Sequence, residues 1–227
     1  MTHPTAGNRR RTAARRRPES GPPPALPPAL RRPLLLLAVA AAAVAGLLAV
    51  RYAGESAAAG IDRWLRDRLI GQPPWAHRPA VLVDFVGEPI GAALSLAVLS
   101  GCCLLLRRPR LAMLAVMGPL LSGAATTALK APIGRTINGD YLAFPSGHTA
   151  FATALGLVLA LLVVSRWRPR PWAALTLALA GAGSGGVTMA WAQVYLNAHY
   201  PTDALGGCCA ALVVVPTTAA LIDRMAR

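Results

Sequence analysis

The sequence predicts an all-α membrane protein, a six-span transmembrane helix bundle with both termini cytoplasmic. Three observations carry that prediction. Apolar residues make up 55% of the 227 residues and charged residues only 14%. Mean hydropathy is +0.47. Six separate apolar runs each approach the ~20 residues needed to cross hydrocarbon as a helix. A soluble core does not need that much hydrocarbon, so length alone, which would suggest one or two soluble domains, misleads here.

Residues 1–32 join the arginine triplets Arg9 to Arg11 and Arg15 to Arg17 with the proline-rich stretch 21–28. Such a composition buries too little surface to fold alone, so a disordered cytoplasmic tail is expected. Its basic region is too long for a secretory signal peptide, and no small-residue cleavage site follows the first apolar run. Residues 33–227 form the membrane domain, with spans expected at about 33–52, 81–106, 109–130, 146–166, 171–193 and 202–223. The clusters at Arg107, Arg108 and Arg110, at Arg166, Arg168 and Arg170, and at Arg224 and Arg227 share the side of the tail if all six segments cross. Positive charge favours the inside, which places 131–145 and 194–201 together on the outer face.

Between the first two spans, residues 58–70 read as a helix lying in the interface. Ile61, Trp64, Leu65 and Leu69 recur at helical spacing, and Asp62, Arg63, Arg66, Asp67 and Arg68 fill the other positions. It is expected either to anchor at the surface or to cover a site entrance. Gly181, Gly183, Gly185 and Gly186 include a small-x-x-x-small pair that lets helix backbones approach closely in lipid. The adjacent pairs Cys102-Cys103 and Cys208-Cys209 lie in apolar runs with neither disulfide nor zinc spacing, and read as packing residues. The net charge of +14 is a topology signal rather than a nucleic-acid footprint, because no basic stripe is interleaved with aromatics.

Ionisable groups at membrane depth are costly, so Lys130, Arg135, His148, His199 and Asp203, all at span ends on the outer side, are the informative ones. Pro145-Ser146-Gly147-His148 opens the fourth span. Ser146 can cap a helix whose free N–H groups hold a phosphate, Gly147 lets the anion approach, and His148 can give a proton to a leaving oxygen. His199 and Asp203 are four apart, so the carboxylate can orient one ring nitrogen and free the other for attack. A capped helix start, a headgroup-level ion pair and snorkelling cations remain the plainer alternatives for each motif taken singly. Asp84 and Glu88, four apart, fit either pairing with Arg135 or a place among headgroups.

Taken in order, these motifs resemble the type-2 phosphatidic acid phosphatase superfamily, which also includes glucose-6-phosphatase and vanadium haloperoxidases. The resemblance covers about residues 120–206 for motifs and the six spans for architecture. It implies that His199 is the nucleophile, Asp203 its orienting partner and His148 the acid. Lys130, Arg135, Ser146, Gly147 and Gln193 would hold phosphate oxygens, and a phosphohistidine would form and be hydrolysed with no metal and no cofactor. The chain departs from the family pattern at two positions: Ile137 and Gln193 stand where arginines are usual.

The function expected is therefore a membrane lipid phosphate or pyrophosphate phosphatase. It acts at the outer face of a plasma (inner) membrane, bacterial by its Ala-, Arg-, Gly- and Pro-rich composition. The alternative is a weakly active or inactive lipid-phosphate binder or transport-related protein on the same scaffold. The partners expected are the lipid substrate and the bilayer, not nucleic acid; neither oligomeric state nor the particular lipid is written in the sequence.

Overall fold

A computed structural model describes residues 22–58, 60–70 and 73–226. The helices are α1 (Pro28–Tyr52), α2 (Ile61–Ile70), α3 (His77–Phe85), α4 (Pro89–Leu105), α5 (Pro109–Ile133), α6 (Gly147–Trp167), α7 (Pro171–Tyr195) and α8 (Pro201–Met225). A two-stranded hairpin, β1 (Thr136–Ile137) and β2 (Tyr141–Leu142), pairs Thr136 with Leu142 and Ile137 with Tyr141 between α5 and α6. Proline opens α1, α4, α5, α7 and α8. At that position its fixed φ suits the helix and its missing N–H costs nothing.

Among the described residues, five helices are each long and apolar enough to cross a bilayer, and residues 74–85 with α4, bent by 63° at their break, pass the same test only as a pair. Outward side chains along them are apolar, as with Val50 (82% exposed) and Leu105 (85% exposed), which lipid tolerates and water would not. The expected second span, 81–106, is thus corrected from one helix to two. Pro89 cannot donate the bond that would continue α3, and it holds Glu88 extended at φ −70°, ψ 154°.

The tail boundary also moves. Residues 1–21 lie outside the described residues, but α1 begins at Pro28, and Ala25 and Leu26 are buried. Their amides donate to Asp223 Oδ1 at 2.8 Å and Oδ2 at 3.0 Å near the end of α8. The segment is held because a carboxylate satisfies two backbone donors that would otherwise be buried unpaired.

The most enclosed span is α6, with α5, α7 and α8 around it. As expected from their spacing, Gly181 and Gly185 are packing residues. A Cβ on Gly181 would stand 2.5 Å from Gly156 O, and one on Gly185 would stand 2.4 Å from Ala152 O. Backbone contact of α6 with α7 follows from that small-residue seam.

Candidate active site

The N-terminal ends of α6 and α8 are tied together. Ser146 caps α6, its Oγ accepting from Thr149 N at 3.4 Å and Thr149 Oγ1 at 3.0 Å, while Ser146 N donates to Asp203 O at 2.9 Å. Gly207 permits this contact, since a Cβ there would fall 2.3 Å from Ser146 O. The sequence expectation of a Ser146 cap is met; its hydroxyl is buried and spent on the cap rather than turned outward. The first-turn amides of Gly147 and His148 have no helical carbonyl to reach, and with the dipole they favour an anion.

His199 lies in the turn between α7 and α8. Asn197, at φ 58°, reverses the chain there, and Ala198 N and His199 N both donate to Gln193 O, at 2.9 and 3.3 Å. The hairpin between α5 and α6 joins this turn: Asn138 Nδ2 donates to Asn197 O at 2.7 Å. The His199 ring is almost enclosed, with Nδ1 3.7 Å from Asp203 Oδ2 and without a hydrogen-bond partner among the described residues. That gap is longer than a hydrogen bond, as is common before a substrate tightens a site. Asp203 is already occupied, Oδ2 by Tyr200 N at 2.8 Å and Oδ1 by Arg135 at 2.6 Å.

Arg135 is where the structure departs most from the sequence expectation. It is fully buried and its terminal guanidinium nitrogens are taken up by other side chains. Its guanidinium donates to Asp203 Oδ1, Thr202 Oγ1 and Asp62 Oδ2, each at 2.6 Å. It lies between the rings of Tyr52 and Tyr200, 4.1 and 4.5 Å from their centroids. Asp62 completes the cluster by accepting from Thr202 N at 2.9 Å and Thr202 Oγ1 at 2.8 Å. So α2 docks through the carboxylate assigned to its polar face, while Ile61 and Trp64 of its apolar face stay exposed. Sequence reasoning missed Asp62 and Thr202. Nothing in helical periodicity marks one carboxylate of a charged face as the buried one.

Asp84 and Glu88 pair with neither Arg135 nor solvent alone. The break between α3 and α4 carries both to His148, whose Nε2 is 3.7 Å from Asp84 Oδ1 and 3.5 Å from Glu88 Oε1. Gly87 makes room, as a Cβ there would meet the imidazole Cδ2 at 2.2 Å. Gln193, nearly buried on α7, turns its amide to Asp84 as a hydrogen-bond donor instead of standing free for a ligand. Ile137, the other position where an arginine is usual, is buried with Ala143 and Tyr200 in a small apolar cluster. Lys130, half-buried in the last turn of α5, lies within the electrostatic reach of Asp203.

Fold and site together define a class: a multi-pass helical membrane protein with two histidines beside adjoining helix N-termini suited to an anion. The chain belongs to the PAP2 superfamily, whose family model matches residues 111–225, from the start of α5 to the end of α8. No curated protein matches it. Among solved structures it is similar to the crystal structure of a transmembrane PAP2 type phosphatidylglycerolphosphate phosphatase from Bacillus subtilis. The TM-score is 0.67, over 84% of this chain and 98% of that one, at 18% sequence identity. At that identity the likeness establishes the fold. The resemblance read from the Pro145-to-His148 and His199-to-Asp203 motifs is thereby borne out at the level of family and architecture.

Proposed function

We propose that this protein removes phosphate from a membrane lipid phosphate or pyrophosphate at the extracytoplasmic face of a plasma membrane. The observation that carries this is the direct bond from Ser146 N to Asp203 O. It sets the anion-favouring start of α6, with His148, against the start of α8, with His199. In the reaction, His199 attacks phosphorus through the ring nitrogen turned away from Asp203, giving a phosphohistidine and a lipid alcohol, or a lipid monophosphate where the substrate is a pyrophosphate. His148 governs the proton that reaches the leaving oxygen. Water then cleaves the P–N bond, releasing phosphate and restoring the imidazole. Asp203 orients and electrostatically supports His199, and Arg135 acts behind it by fixing Asp203. Lys130 and the Gly147 and His148 amides hold phosphate oxygens.

A groove of about 990 Å³ gives the lipid chain its place. Its lining includes Val83 and Val86 beside Asp84, Met189 one turn from Gln193, and Leu106 at the far end of α4. It therefore runs from the level of the site toward the cytoplasmic side along an almost wholly apolar wall. The outer-face assignment rests on the arginine clusters at the opposite helix ends.

The test is phosphate release by purified protein in detergent against a panel of prenyl pyrophosphates, prenyl-linked sugar phosphates, phosphatidic acid and phosphatidylglycerol phosphate. Release from at least one lipid, abolished in His199→Ala, is expected; no release from any lipid contradicts the proposal. A second reading, a lipid-phosphate binder with little turnover, is favoured by Gln193 and Ile137, neither of which offers a free cation. It predicts undetectable turnover in the natural chain and a gain of turnover in Gln193→Arg.

A further inference from the structure

Asp62 is the one buried residue of α2, while Ile61 and Trp64 beside it stand half exposed. Sinking a carboxylate is a costly way to dock a helix, because a well-packed apolar side chain of similar volume often holds as well or better. What Asp62 bonds to therefore matters more than its burial. Its Oδ1 accepts from Thr202 N at 2.9 Å, one of the first-turn amides of α8 that no helical carbonyl can reach. Its Oδ2 accepts from Thr202 Oγ1 at 2.8 Å and from Arg135 Nη2 at 2.6 Å. The start of α2 is thereby fixed to the neighbour of Asp203 and, through Arg135, to Asp203 itself.

How the Arg135 fork is divided sets what Asp203 has left. A guanidinium beside a carboxylate favours two parallel bonds to its two oxygens. Here Nη2 goes to Asp62, and Asp203 takes Nη1 on Oδ1. Oδ2 of Asp203 is left for Tyr200 N at 2.8 Å and for the facing Nδ1 of His199 at 3.7 Å. Deprived of Asp62, Nη2 has only the other carboxylate of the cluster to turn to, and a two-pronged pair draws Asp203 away from the ring. Charge adds to geometry. Two carboxylates against one guanidinium leave negative charge in excess beside His199, which favours the positive charge that the ring gains as it attacks. Without Asp62 the pair that remains is neutral.

We propose that Asp62 is a positioning residue for His199: by holding one arm of Arg135, it keeps an oxygen of Asp203 available to orient the ring. Its effect on turnover rests on the phosphatase reading above; its effect on the ring does not.

The experiment compares the natural full-length protein with Asp62→Asn in detergent, with turnover expressed per folded chain. A fall in kcat of about 10- to 100-fold is expected, the scale on which an ångström of misplacement is felt, with KM held within about twofold. In an Arg135→Gln background the effect of Asp62→Asn should vanish or become a gain, because there is no fork to divide and one of two facing carboxylates is gone. Losses that simply add overturn the proposal. The substrate-free readout is the ¹⁵N resonance of His199 Nδ1, assigned by its loss in His199→Ala. It should move in Asp62→Asn. Should Asp62→Asn not fold, Asp62→Glu carries the same test, since it keeps the charge but displaces the oxygens by one methylene; a smaller fall in kcat and a moved resonance are expected. An unmoved resonance overturns the positioning role whether or not the protein turns over. A moved resonance in a protein that releases phosphate from no lipid supports that role and overturns the phosphatase reading instead.

Discussion

Two charged clusters stand at the same end of the bundle, and they differ in how completely their partners are supplied. Around Arg135, two carboxylates, a hydroxyl and two aromatic rings surround a guanidinium with no exposed surface. Around His148, two carboxylates approach but do not bond, and the substitution of Gln193 for a cation leaves negative charge in excess. A buried ion cluster whose charges are matched ties elements together: α2, the hairpin and α8 meet at Arg135, where only Nε lacks a hydrogen-bond partner among the described residues. An open one, with an unpaired ring nitrogen, is placed to receive something. The same residue types at one end of the bundle thus divide into framework and site according to how deeply they are buried and how far their charges are paired.

Substitutions should separate the two roles. Arg135→Ala leaves Asp62 and Asp203 facing each other in the interior, and a loss of about 3–5 kcal/mol is expected from removing one member of a buried charge cluster. Thermal unfolding in detergent should show it, with Arg135→Lys rescuing poorly because an ammonium cannot span both carboxylates. Unaltered stability in Arg135→Ala would break the comparison. A smaller effect is expected for Ser146→Ala, about 1 kcal/mol for a lost helix cap. Turnover should fall further than that stability loss implies, because the cap sets the α6 start against α8. Smallest in stability is Glu88→Gln, within about 0.5 kcal/mol as for other accessible positions, with its consequence appearing in turnover. A stability loss as large as that of Arg135→Ala would move Glu88 into the framework.

Much of this is legible in the sequence. Apolar runs and arginine clusters gave the spans, because bilayer thickness and backbone hydrogen bonding leave a chain few alternatives. The Ser146 cap and the Gly181–Gly185 seam followed from local chemistry that tertiary contacts did not override. Arg135 was assigned to the phosphate because a cation near an anion motif looks the same in sequence whether its partner is a substrate or Asp62. The bend at Glu88 was hidden inside a hydrophobic run, although Pro89 carries its cause. Without that bend, Asp84 and Glu88 read as headgroup residues; with it, they reach His148 across 60 residues of sequence. Long-range partners of this kind leave no periodic trace.

The central claim is that His199 carries the phosphoryl group. Rapid alkaline quenching of the protein during turnover of a ³²P-labelled lipid phosphate should trap label on the chain that is stable to base and lost in acid, as a phosphohistidine is. Label is predicted in the natural protein and absent in His199→Ala together with phosphate release; undiminished release by His199→Ala would contradict the account.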